Sequence, residues 1–368
     1  MVSNSKKQFQ IRHKGRNFTL KEMLKGFFEE AHPLLVDISQ FLQEWHNDSA
    51  YLLQKTSGST GKPKEISLLK AHMKASAEAT LRKLSINEQS TALLSLSPQF
   101  IGGKMMIVRA LLGQYTLIAG SVSAKPLEDL ETLNREAVEF FSFVPYQLQE
   151  TIKDRPEDIH LLNQAKAIIL GGAPVSNALK EQINQYISAP CYSTYGMTET
   201  VSHVALQLLN TKEASQYFEA LPGISFSTDT ENCLQIHAPE ITGKETLTTN
   251  DIVDLLDETH FKWLGRKDFV VNSGGIKLHP EEIENELQAL LQARGQHCQV
   301  MAFGEPSQKW GEQLSIIIEN KQPIAELAHL ITLLPKLHQP KKIYYLAEFS
   351  RTANDKLNRK ATILQLKQ

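Results

Sequence analysis

Residues 56–64 carry the densest phosphate-binding chemistry in the chain. The segment combines hydroxyl side chains with two glycines and two lysines, in the order Thr56, Ser57, Gly58, Ser59, Thr60, Gly61, Lys62, Pro63 and Lys64. Glycines let backbone N–H groups turn toward an anion, hydroxyl groups donate further hydrogen bonds, and lysines supply positive charge. The composition therefore predicts a loop that holds a polyphosphate.

The spacing of this loop differs from that of a Walker A loop. A Walker A loop has four residues between its first glycine and a Gly-Lys pair, which is then followed by Ser or Thr. Here two residues separate Gly58 from Gly61, and Pro63 follows Lys62. From composition alone, a flexible Ser/Gly surface turn remains the alternative, so the choice depends on residues further along the chain.

Several later segments carry related polar and glycine-rich chemistry. They are Gly171-Gly172-Ala173-Pro174, Tyr195-Gly196-Met197-Thr198-Glu199-Thr200, Thr249-Asn250-Asp251, Gly265-Arg266-Lys267-Asp268, Gly274-Gly275, Pro280-Glu281-Glu282-Ile283-Glu284, and Arg351-Thr352 ahead of Lys356. In this order they resemble the motifs of the adenylate-forming superfamily of acyl-CoA ligases, adenylation domains and luciferases. The resemblance runs from about Tyr51 to the C-terminus.

The resemblance implies that ATP activates a carboxylic acid. A carboxylate is a poor acyl donor because its leaving group would be oxide, so such enzymes first form a mixed anhydride with AMP. Because an anion must attack an anionic phosphate, the reaction needs cations and a metal ion. By resemblance, the loop from Thr56 to Lys64 holds the β- and γ-phosphates, and Thr198 binds phosphate. Glu199 is implied as the Mg²⁺ ligand, although taken alone it would be interpreted as a solvated glutamate at the start of a helix.

Other motif residues are implied to bind the nucleoside. The resemblance places adenine against the backbone of Gly172, Ala173 and Pro174 and against the ring of Tyr195. It places the ribose hydroxyls on Asp251, with Arg266 nearby. Isolated Asp and Arg residues are usually surface charges, so this assignment depends on their motifs.

Lys356 is the implied catalytic residue of adenylate formation, with Thr198 and Glu199. In the superfamily, a lysine near the C-terminus bridges the substrate carboxylate and the α-phosphate. Ser350 and Asp355 replace the proline and glycine that are common in this motif, which leaves Lys360 as an alternative. The spacing from Arg351-Thr352 favours Lys356.

The resemblance also implies a second step, in which the thiol of CoA takes the acyl group. A small C-terminal domain would rotate about a hinge at Asp268, because a few dihedrals at the end of an element can absorb such a rotation. Gly274 and Gly275 would then approach the pantetheine of CoA, since glycine permits close contact. The expected domains are 1–267, which binds ATP and the acid, and 268–368, which carries the lysine.

Within the superfamily, the chain most resembles the short o-succinylbenzoate:CoA ligases of menaquinone biosynthesis. This narrower resemblance rests on residues 101–111, 195–200 and 272–277. The phosphate loop begins at residue 56, earlier than in most relatives, which implies a shortened N-terminal subdomain.

The second carboxylate of such a substrate needs a cation away from the reacting centre. Lys104 and Arg109 are the candidates, and His203 is a candidate for the pocket wall. If the segment is helical, five residues place the two cations about 140° apart. We therefore expect one of them to face the pocket and the other to be a solvated charge.

Three other functions fit parts of the pattern. A stand-alone adenylation module would pass its acyl group to a carrier protein, and an aryl or fatty acyl-CoA ligase would have an apolar acid pocket. A non-catalytic nucleotide-binding protein would lack a residue such as Lys356. The expected ligands of the favoured function are the acid, ATP, Mg²⁺ and CoA.

The elements that must position these residues form an α/β pattern. Helices are expected from the Thr19–Glu22 capping box through Phe28 and over 68–83, and strands over 51–53, 91–96, 115–119, 138–144 and 167–170. Further strands are expected over 261–264, 269–271, 300–303, 314–318 and 343–346, and helices from Pro280 and over 325–334. The fold class is therefore α/β, with a large N-terminal domain and a small C-terminal α/β domain on a hinge.

Composition restricts the partners and the compartment. The chain has 368 residues and a formal net charge of -2, so no global attraction to nucleic acid is expected. Cys191, Cys233 and Cys298 form no Cys-x-x-Cys motif, and their odd number suits a reducing compartment. The charged N-terminus has no apolar core typical of a secretory signal, and charges interrupt the most apolar region, 91–122. We expect a cytoplasmic protein without a membrane span, whereas the oligomeric state is not predicted.

Overall fold

The computed structural model describes residues 8–26, 32–55, 65–128, 138–351 and 357–366. The strands within these residues are β1 Gln10–His13, β2 Arg16–Thr19, β3 Tyr51–Lys55, β4 Glu65–Leu69, β5 Thr91–Leu94, β6 Thr116–Ala119, β7 Phe140–Phe143, β8 Ala167–Leu170, β9 Cys191–Gly196, β10 His203–Leu208, β11 Phe218–Ala220, β12 Ser225–Thr228, β13 Cys233–His237, β14 Leu247–Asp257, β15 His260–Arg266, β16 Val271–Ser273, β17 Ile276–Leu278, β18 Val300–Ser307, β19 Gly311–Glu319 and β20 Lys342–Leu346.

The helices of the same residues connect these strands. The α-helices are α1 Leu20–Lys25, α2 Pro33–His46, α3 Lys70–Leu84, α4 Ile101–Gly113, α5 Pro145–Asp154, α6 Ile159–Leu162, α7 Asn177–Tyr186, α8 Pro239–Thr242, α9 Pro280–Gln292, α10 Leu327–Leu333 and α11 Arg359–Gln365. Short 3-10 helices cover Pro156–Asp158, Thr198–Thr200, Lys267–Phe269 and Lys336–His338.

The first compact unit comprises Met1–Thr56, Pro63–Ser225 and His237–Leu247. Its sheet has the spatial order β2-β1-β6-β5-β7-β8-β9-β10-β11, and the neighbours from β1 to β9 are parallel. Strands β5 to β8 are buried along their whole length. Parallel strands are covered by helices on both faces, which is why these segments are continuous apolar runs in the sequence.

This parallel arrangement positions the site. The carboxyl ends of β7, β8 and β9 meet at one edge of the sheet, where ligands bind in open α/β folds. Val144 follows β7, Gly171 follows β8 and Met197 follows β9. The sheet thus brings two of the motif segments, 171–174 and 195–200, to the same edge.

The second compact unit comprises Ser57–Lys62, Phe226–Ile236 and Thr248–Gln368. It contains the strand run β12-β13-β14-β15 and a separate sheet of order β17-β16-β19-β18, with β20 parallel to β19. Helix α9 contributes Ile283, Leu287 and Leu291 to the core over this second sheet. The spacing of these three residues is that of one helix face, as the sequence predicted.

The α/β fold class predicted from the sequence is confirmed. The boundary predicted at Asp268 lies within the second unit, in the 3-10 helix Lys267–Phe269. Compactness shows which residues pack together and does not show which of them rotate. The domains 1–267 and 268–368 therefore stay a prediction.

The start of α1 matches its prediction, and its end does not. Thr19 Oγ1 accepts a hydrogen bond from the Glu22 N–H at 3.3 Å, and Glu22 Oε2 accepts one from the Thr19 N–H at 2.7 Å. The prediction that the helix reaches Phe28 is wrong, because it ends at Lys25. Gly26 is left-handed, with φ +70°, and its N–H donates to Met23 O, which closes the last turn.

Strand β4 was missed by the sequence analysis. It pairs antiparallel with β3, with Leu52 opposite Leu68, so α3 begins at Lys70 and the helix predicted over 68–83 starts two residues too early. Short runs of this kind take their conformation from the partner strand more than from local propensity. The predicted phosphate loop, 56–64, lies outside the described residues, between these two paired strands in the sequence.

In the second unit, the strand predicted over 269–271 is displaced. Lys267–Phe269 form a 3-10 helix, and the strand covers Val271–Ser273. The cysteines are free, with Cys191 and Cys233 buried and Cys298 partly exposed. Among the residues that the structure describes, no helix is both long and apolar enough to cross a bilayer.

Candidate functional site

The turn between β9 and β10 carries the motif from Tyr195 to Thr200. Thr198 and Glu199 are exposed in a 3-10 helix, whereas Thr200 is buried beneath them. The Thr200 hydroxyl accepts a hydrogen bond from the Met197 N–H at 2.9 Å and lies 2.7 Å from Ser202 O, to which it can donate. The buried threonine therefore holds the backbone on both sides of the two exposed side chains.

Val201 completes this turn in a strained conformation. Its φ of +64° and ψ of -51° lie outside the regions that a β-branched residue prefers. The Ser202 N–H donates to Thr200 O at 2.6 Å, so Val201 is the central residue of a γ-turn with positive φ, a rare and strained type. Strained residues of this kind cost about 1–3 kcal/mol each and concentrate at functional sites.

Gly196 allows the two sides of the turn to approach each other. A Cβ on Gly196 would lie 2.4 Å from Ser202 O, well inside van der Waals contact. A larger residue would push β9 and β10 apart at the point where the motif begins. The glycine of Tyr-Gly-Met-Thr-Glu-Thr is therefore explained by packing of the backbone.

A buried hydrogen-bond chain supports the turn from below. One Arg109 amino group donates to Ser202 Oγ at 2.9 Å, and Ser202 Oγ lies 3.5 Å from His203 Nδ1. His203 Nε2 lies 3.0 Å from Thr80 Oγ1, which donates to Ser76 O at 3.1 Å. The chain thus links α4, the turn, β10 and α3.

Burial determines the protonation states of Arg109 and His203 in this hydrogen-bond chain. Arg109 is 2% exposed and His203 is 6% exposed. Burial lowers the pKa of Arg109 to about 10, an effect that the nearby Tyr115 partly offsets, so the guanidinium stays charged at neutral pH. Burial, together with the positive charge of Arg109, lowers the pKa of His203 well below its usual value. Desolvation and the neighbouring guanidinium therefore favour the neutral form of His203.

Lys104 lies on α4 as well and faces different partners. Its Nζ is 3.4 Å from Leu53 O on β3 and 5.9 Å from the centroid of the Phe41 ring. Burial lowers the pKa of Lys104, which is 7% exposed. The segment that carries both residues is helical, and Lys104 and Arg109 point in different directions, as the sequence predicted. The prediction that one of them is a solvated charge is wrong, because α4 is covered on both of these sides.

The residues expected to hold adenine follow β8 and lie in β9. Gly172, with φ +84°, Ala173 and Pro174 are exposed. Tyr195 contacts the ring of Phe218 on β11, with the ring centroids 5.8 Å apart. Phe218, which lies on a strand without any motif of its own and was not predicted from the sequence, supports the tyrosine ring.

Asp251 and Arg266, the residues expected at the ribose, belong to the second unit. They lie opposite each other on the antiparallel pair of β14 and β15, and Arg266 Nε is 4.0 Å from Asp251 Oδ1. Trp263 Nε1 donates to the same oxygen at 3.2 Å. Trp263 was not predicted from the sequence, because the register of the two strands, and no local motif, brings it to Asp251.

The predicted hinge and the glycines expected near CoA are exposed in the second unit. Arg266 donates to the Asp268 carboxylate at 2.9 Å. Gly274 and Gly275 connect β16 to β17, and the Gly274 N–H donates to Trp310 O at 2.8 Å. The exposed Trp310 next to these glycines is a further residue that the sequence analysis missed.

Two predicted parts of the site lie outside the described residues. They are the phosphate loop, 56–64, and the expected catalytic residue Lys356. Within the described ranges, the ATP-binding residues predicted from the sequence divide between the two units. The unit of Asp251 and Arg266 does not contain Gly172 and Tyr195.

Glu199, the residue expected to ligate Mg²⁺, is exposed. The described residues include no group of three or more His, Cys, Asp or Glu side chains that could hold a metal ion. Mg²⁺ in nucleotide sites is usually held by one or two carboxylates together with phosphate oxygens and water. A single exposed carboxylate beside Thr198 therefore fits Mg²⁺ bound to a nucleotide.

Comparison with known proteins gives a consistent result. A family model for the AMP-binding enzymes matches residues 6–224 of the chain. The 2-succinylbenzoate–CoA ligase of Oceanobacillus iheyensis is 26% identical over 352 residues, which cover 86% of this chain and 70% of the relative. The enzyme of the same name from Lactococcus lactis is 25% identical, with coverage of 90% of this chain and 74% of the relative.

Solved structures have the same fold. The acyl-CoA synthetase (AMP-forming)/AMP-acid ligase II-like protein from Dyadobacter fermentans is 33% identical, with a TM-score of 0.63, and the match covers 95% of this chain and 99% of that one. The O-succinylbenzoate coenzyme A synthetase of Bacillus subtilis, solved with ATP and magnesium ion, is 22% identical, with a TM-score of 0.69 and coverage of 84% and 69%. The architecture is that of the adenylate-forming enzymes.

Proposed function

The chain belongs to the family of AMP-binding enzymes and is an AMP-forming acid–thiol ligase, and from this premise we propose that it converts o-succinylbenzoate to o-succinylbenzoyl-CoA in menaquinone biosynthesis. Relatives that match most of the chain act on 2-succinylbenzoate by name. These relatives are about a quarter identical to this chain, which supports o-succinylbenzoate as the acid. The buried hydrogen-bond chain around Arg109 supports it further.

The proposed reaction has two steps. First, a carboxylate oxygen of the acid forms a bond to the α-phosphorus of ATP, and the bond from that phosphorus to pyrophosphate breaks. Then the sulfur of CoA bonds to the acyl carbon, the bond from that carbon to the AMP oxygen breaks, and the thiol proton is released. No nucleophile of the protein takes part, so the protein acts through position and charge.

The proposed roles follow from the residues. Thr198 would bind phosphate, and Glu199 would hold Mg²⁺, which would supply positive charge next to the leaving pyrophosphate. Lys356 stabilises the charge between the carboxylate and the α-phosphate. Asp251, held by Trp263, accepts the ribose hydroxyls, and Tyr195 stacks on adenine.

The buried guanidinium of Arg109 carries the choice of acid. Its Nε has no hydrogen-bond partner within the described residues. A buried positive charge is costly unless an anion or further hydrogen bonds compensate it. The second carboxylate of o-succinylbenzoate would provide both. Lys104 is the weaker candidate, because it is directed toward β3 and the Phe41 ring.

A comparison of two acids tests the proposal. ATP–pyrophosphate exchange is measured with o-succinylbenzoate and with 4-oxo-4-phenylbutanoate, which lacks the ring carboxylate. We expect Arg109→Met to raise KM for the dicarboxylate about 10- to 100-fold, the scale of a lost charged hydrogen bond, and to change KM for the analogue little. Lys104→Met is the matched control and should not discriminate between the acids.

Two results would contradict this assignment. If Arg109→Met weakens both acids equally, Arg109 supports the turn through Ser202 and does not bind the second carboxylate. If the protein releases pyrophosphate with other aromatic or fatty acids but not with o-succinylbenzoate, the acid is different. Replacing CoA with a carrier protein tests, in the same way, which thiol accepts the acyl group.

A further inference from the structure

The described residues that flank 352–356, here called the base of the Lys356 segment, pair with each other. The Asn358 N–H donates to Ser350 O at 2.8 Å, and Arg351 and Leu357 form an antiparallel bridge. The Ser350 N–H donates to Thr362 Oγ1 at 3.1 Å, which joins the base to α11. The base formed by Ser350, Arg351, Leu357 and Asn358 is therefore tied to α11, which begins at Arg359.

Arg359, the first residue of α11, anchors the base to the rest of the second unit. One amino group donates to Glu284 Oε2 at 2.6 Å and lies 3.7 Å from Glu281 Oε1, and the other donates to Ala302 O at 3.1 Å. The Arg359 guanidinium also lies over the ring of Phe269, 4.9 Å from its centroid. The flat face of the Arg359 guanidinium thus contacts Phe269 while its amino groups donate hydrogen bonds to Glu284 and Ala302. A lysine could not make both kinds of contact.

Phe269 and the two carboxylates connect Arg359 to the proposed hinge. Phe269 directly follows Asp268 and ends the 3-10 helix there. Glu281 and Glu284 lie on the first turns of α9, and Glu284 Oε1 also accepts from the Ala302 N–H at 2.7 Å. A single side chain therefore contacts the residue after the hinge, the helix α9 and the strand β18.

We propose that Arg359 is a positioning residue that ties the base of the Lys356 segment to Phe269 at the hinge, so that the lysine is presented correctly for adenylate formation. This inference rests on the roles proposed above for Lys356 and Asp268. Arg359 itself touches neither substrate nor nucleotide in this proposal.

The charges around Arg359 add a dependence on pH. Burial raises the pKa of Glu284 to about 7, although Arg359 and the Ala302 N–H act in the opposite direction. Burial also raises the pKa of Glu281, which Arg359 and Arg266 partly counteract. The ion pair of Arg359 with Glu284 is complete only when Glu284 is ionised, so the anchor strengthens as pH rises through neutrality.

Single-turnover measurements of the two half-reactions test the proposal. We expect Arg359→Gln to slow adenylate formation by about 10- to 100-fold, the scale of a misplaced catalytic group. The KM for ATP and the rate of thioester formation from supplied acyl-adenylate should be nearly unchanged. Arg359→Lys should be intermediate. Arg294→Lys, which alters an exposed pair with Glu326 in the same unit, is the matched control and should behave as the wild type.

The pH profile provides a readout that a structural role would not change. In the wild type, the adenylation rate should rise with pH around neutrality as Glu284 ionises. Glu284→Gln keeps the shape of the side chain and cannot ionise, so this rise should disappear. An unchanged profile in Glu284→Gln would overturn the proposed coupling.

Lys356→Ala and the wild type together separate failure of this inference from failure of the proposed function. If Lys356→Ala slows adenylation but Arg359→Gln does not, Arg359 does not position the lysine, and the role of Lys356 stands. If Lys356→Ala has no effect, Lys356 is not the adenylation residue and the inference about Arg359 is wrong, whereas the proposed function stands. If the wild type forms no adenylate with o-succinylbenzoate, the proposed function itself is wrong. If Arg359→Gln slows both half-reactions equally, with a matching loss of thermal stability, Arg359 is only a structural residue.

Discussion

Glu199 and His203 lie four residues apart and have opposite environments. Glu199 is exposed, and its carboxylate is available to a metal, whereas His203 is buried and neutral. The γ-turn at Val201 between them turns the chain from the surface into the core. Environment, and not residue type, thus separates a proposed ligand from a supporting side chain.

Glu199→Gln should impair magnesium-dependent turnover while the fold remains intact. The amide that replaces the carboxylate is neutral and ligates Mg²⁺ poorly. We expect activity at limiting Mg²⁺ to fall at least about 10-fold, as for other changes around metal ligands, and to recover in part at high Mg²⁺. Glu78→Gln, an exposed glutamate on α3, is the control. An unchanged magnesium requirement would place the metal on other residues.

His203 should make stability depend on pH in the acid range. Its pKa in the folded protein is lowered below the ordinary value of 6.5, so the unfolded chain binds a proton there that the folded chain does not. The free energy of unfolding therefore falls as pH drops below about 6.5, by at most about 1.4 kcal/mol per pH unit from this group. In His203→Gln, which can still form a hydrogen bond with Thr80, this part of the slope should be absent in urea unfolding. Equal slopes would show that the folded protein takes up the proton.

The β9–β10 turn is the element on which the proposed chemistry depends. Thr200, Gly196 and the chain from Arg109 to Ser76 all constrain it, which accounts for a β-branched residue held at positive φ. Surrounding contacts must outweigh the strain for the conformation to persist. Such a turn presents Thr198 and Glu199 in one defined arrangement, at a local cost in stability.

Substitutions at Val201 should reverse the usual order of Ala and Gly. Both remove the buried side chain, but only glycine adopts positive φ without strain. We expect Val201→Gly to be more stable than Val201→Ala by about 1 kcal/mol, whereas glycine elsewhere is usually the less stable of the two. The free energies of unfolding of the two variants decide this, and an alanine variant of higher stability would mean that the turn is not strained.

At the scale of the whole molecule, the two proposed steps require different faces of one part of the chain. Asp268 and Lys356 both fall within the range of the second compact unit. By the proposed roles, Lys356 acts in adenylation, whereas Gly274 and Gly275 approach CoA in thioester formation. Alternation about Asp268 is therefore our proposal for the cycle.

Lys356→Ala and Asp268→Pro should fail in different half-reactions. Lys356→Ala should slow formation of the acyl-adenylate and spare thioester formation from supplied adenylate. Asp268→Pro should do the reverse, because proline restricts φ at the hinge. Asp268→Ala removes the carboxylate that Arg266 contacts without restricting φ, and so serves as the control. If Lys356→Ala and Asp268→Pro lose the same step to the same degree, alternation about Asp268 is wrong.

The sequence by itself determined the α/β class, the central strands, the helix face of α9 and the motifs that identify the family. These features are local: a strand buried on both faces is a continuous apolar run, and a helix face repeats every three or four residues. The capping box of Thr19 and Glu22 is local as well, and it appears as predicted.

Only the tertiary structure decided the features that depend on partners distant in the chain. Strand β4 exists because β3 pairs with it, and Trp263 reaches Asp251 through the register of two strands. Arg109 contacts Ser202, 93 residues away, and both Arg109 and Lys104 are buried although charged residues are usually exposed. Periodicity specifies which side of a helix a residue occupies, but what covers that side is decided when the whole chain packs.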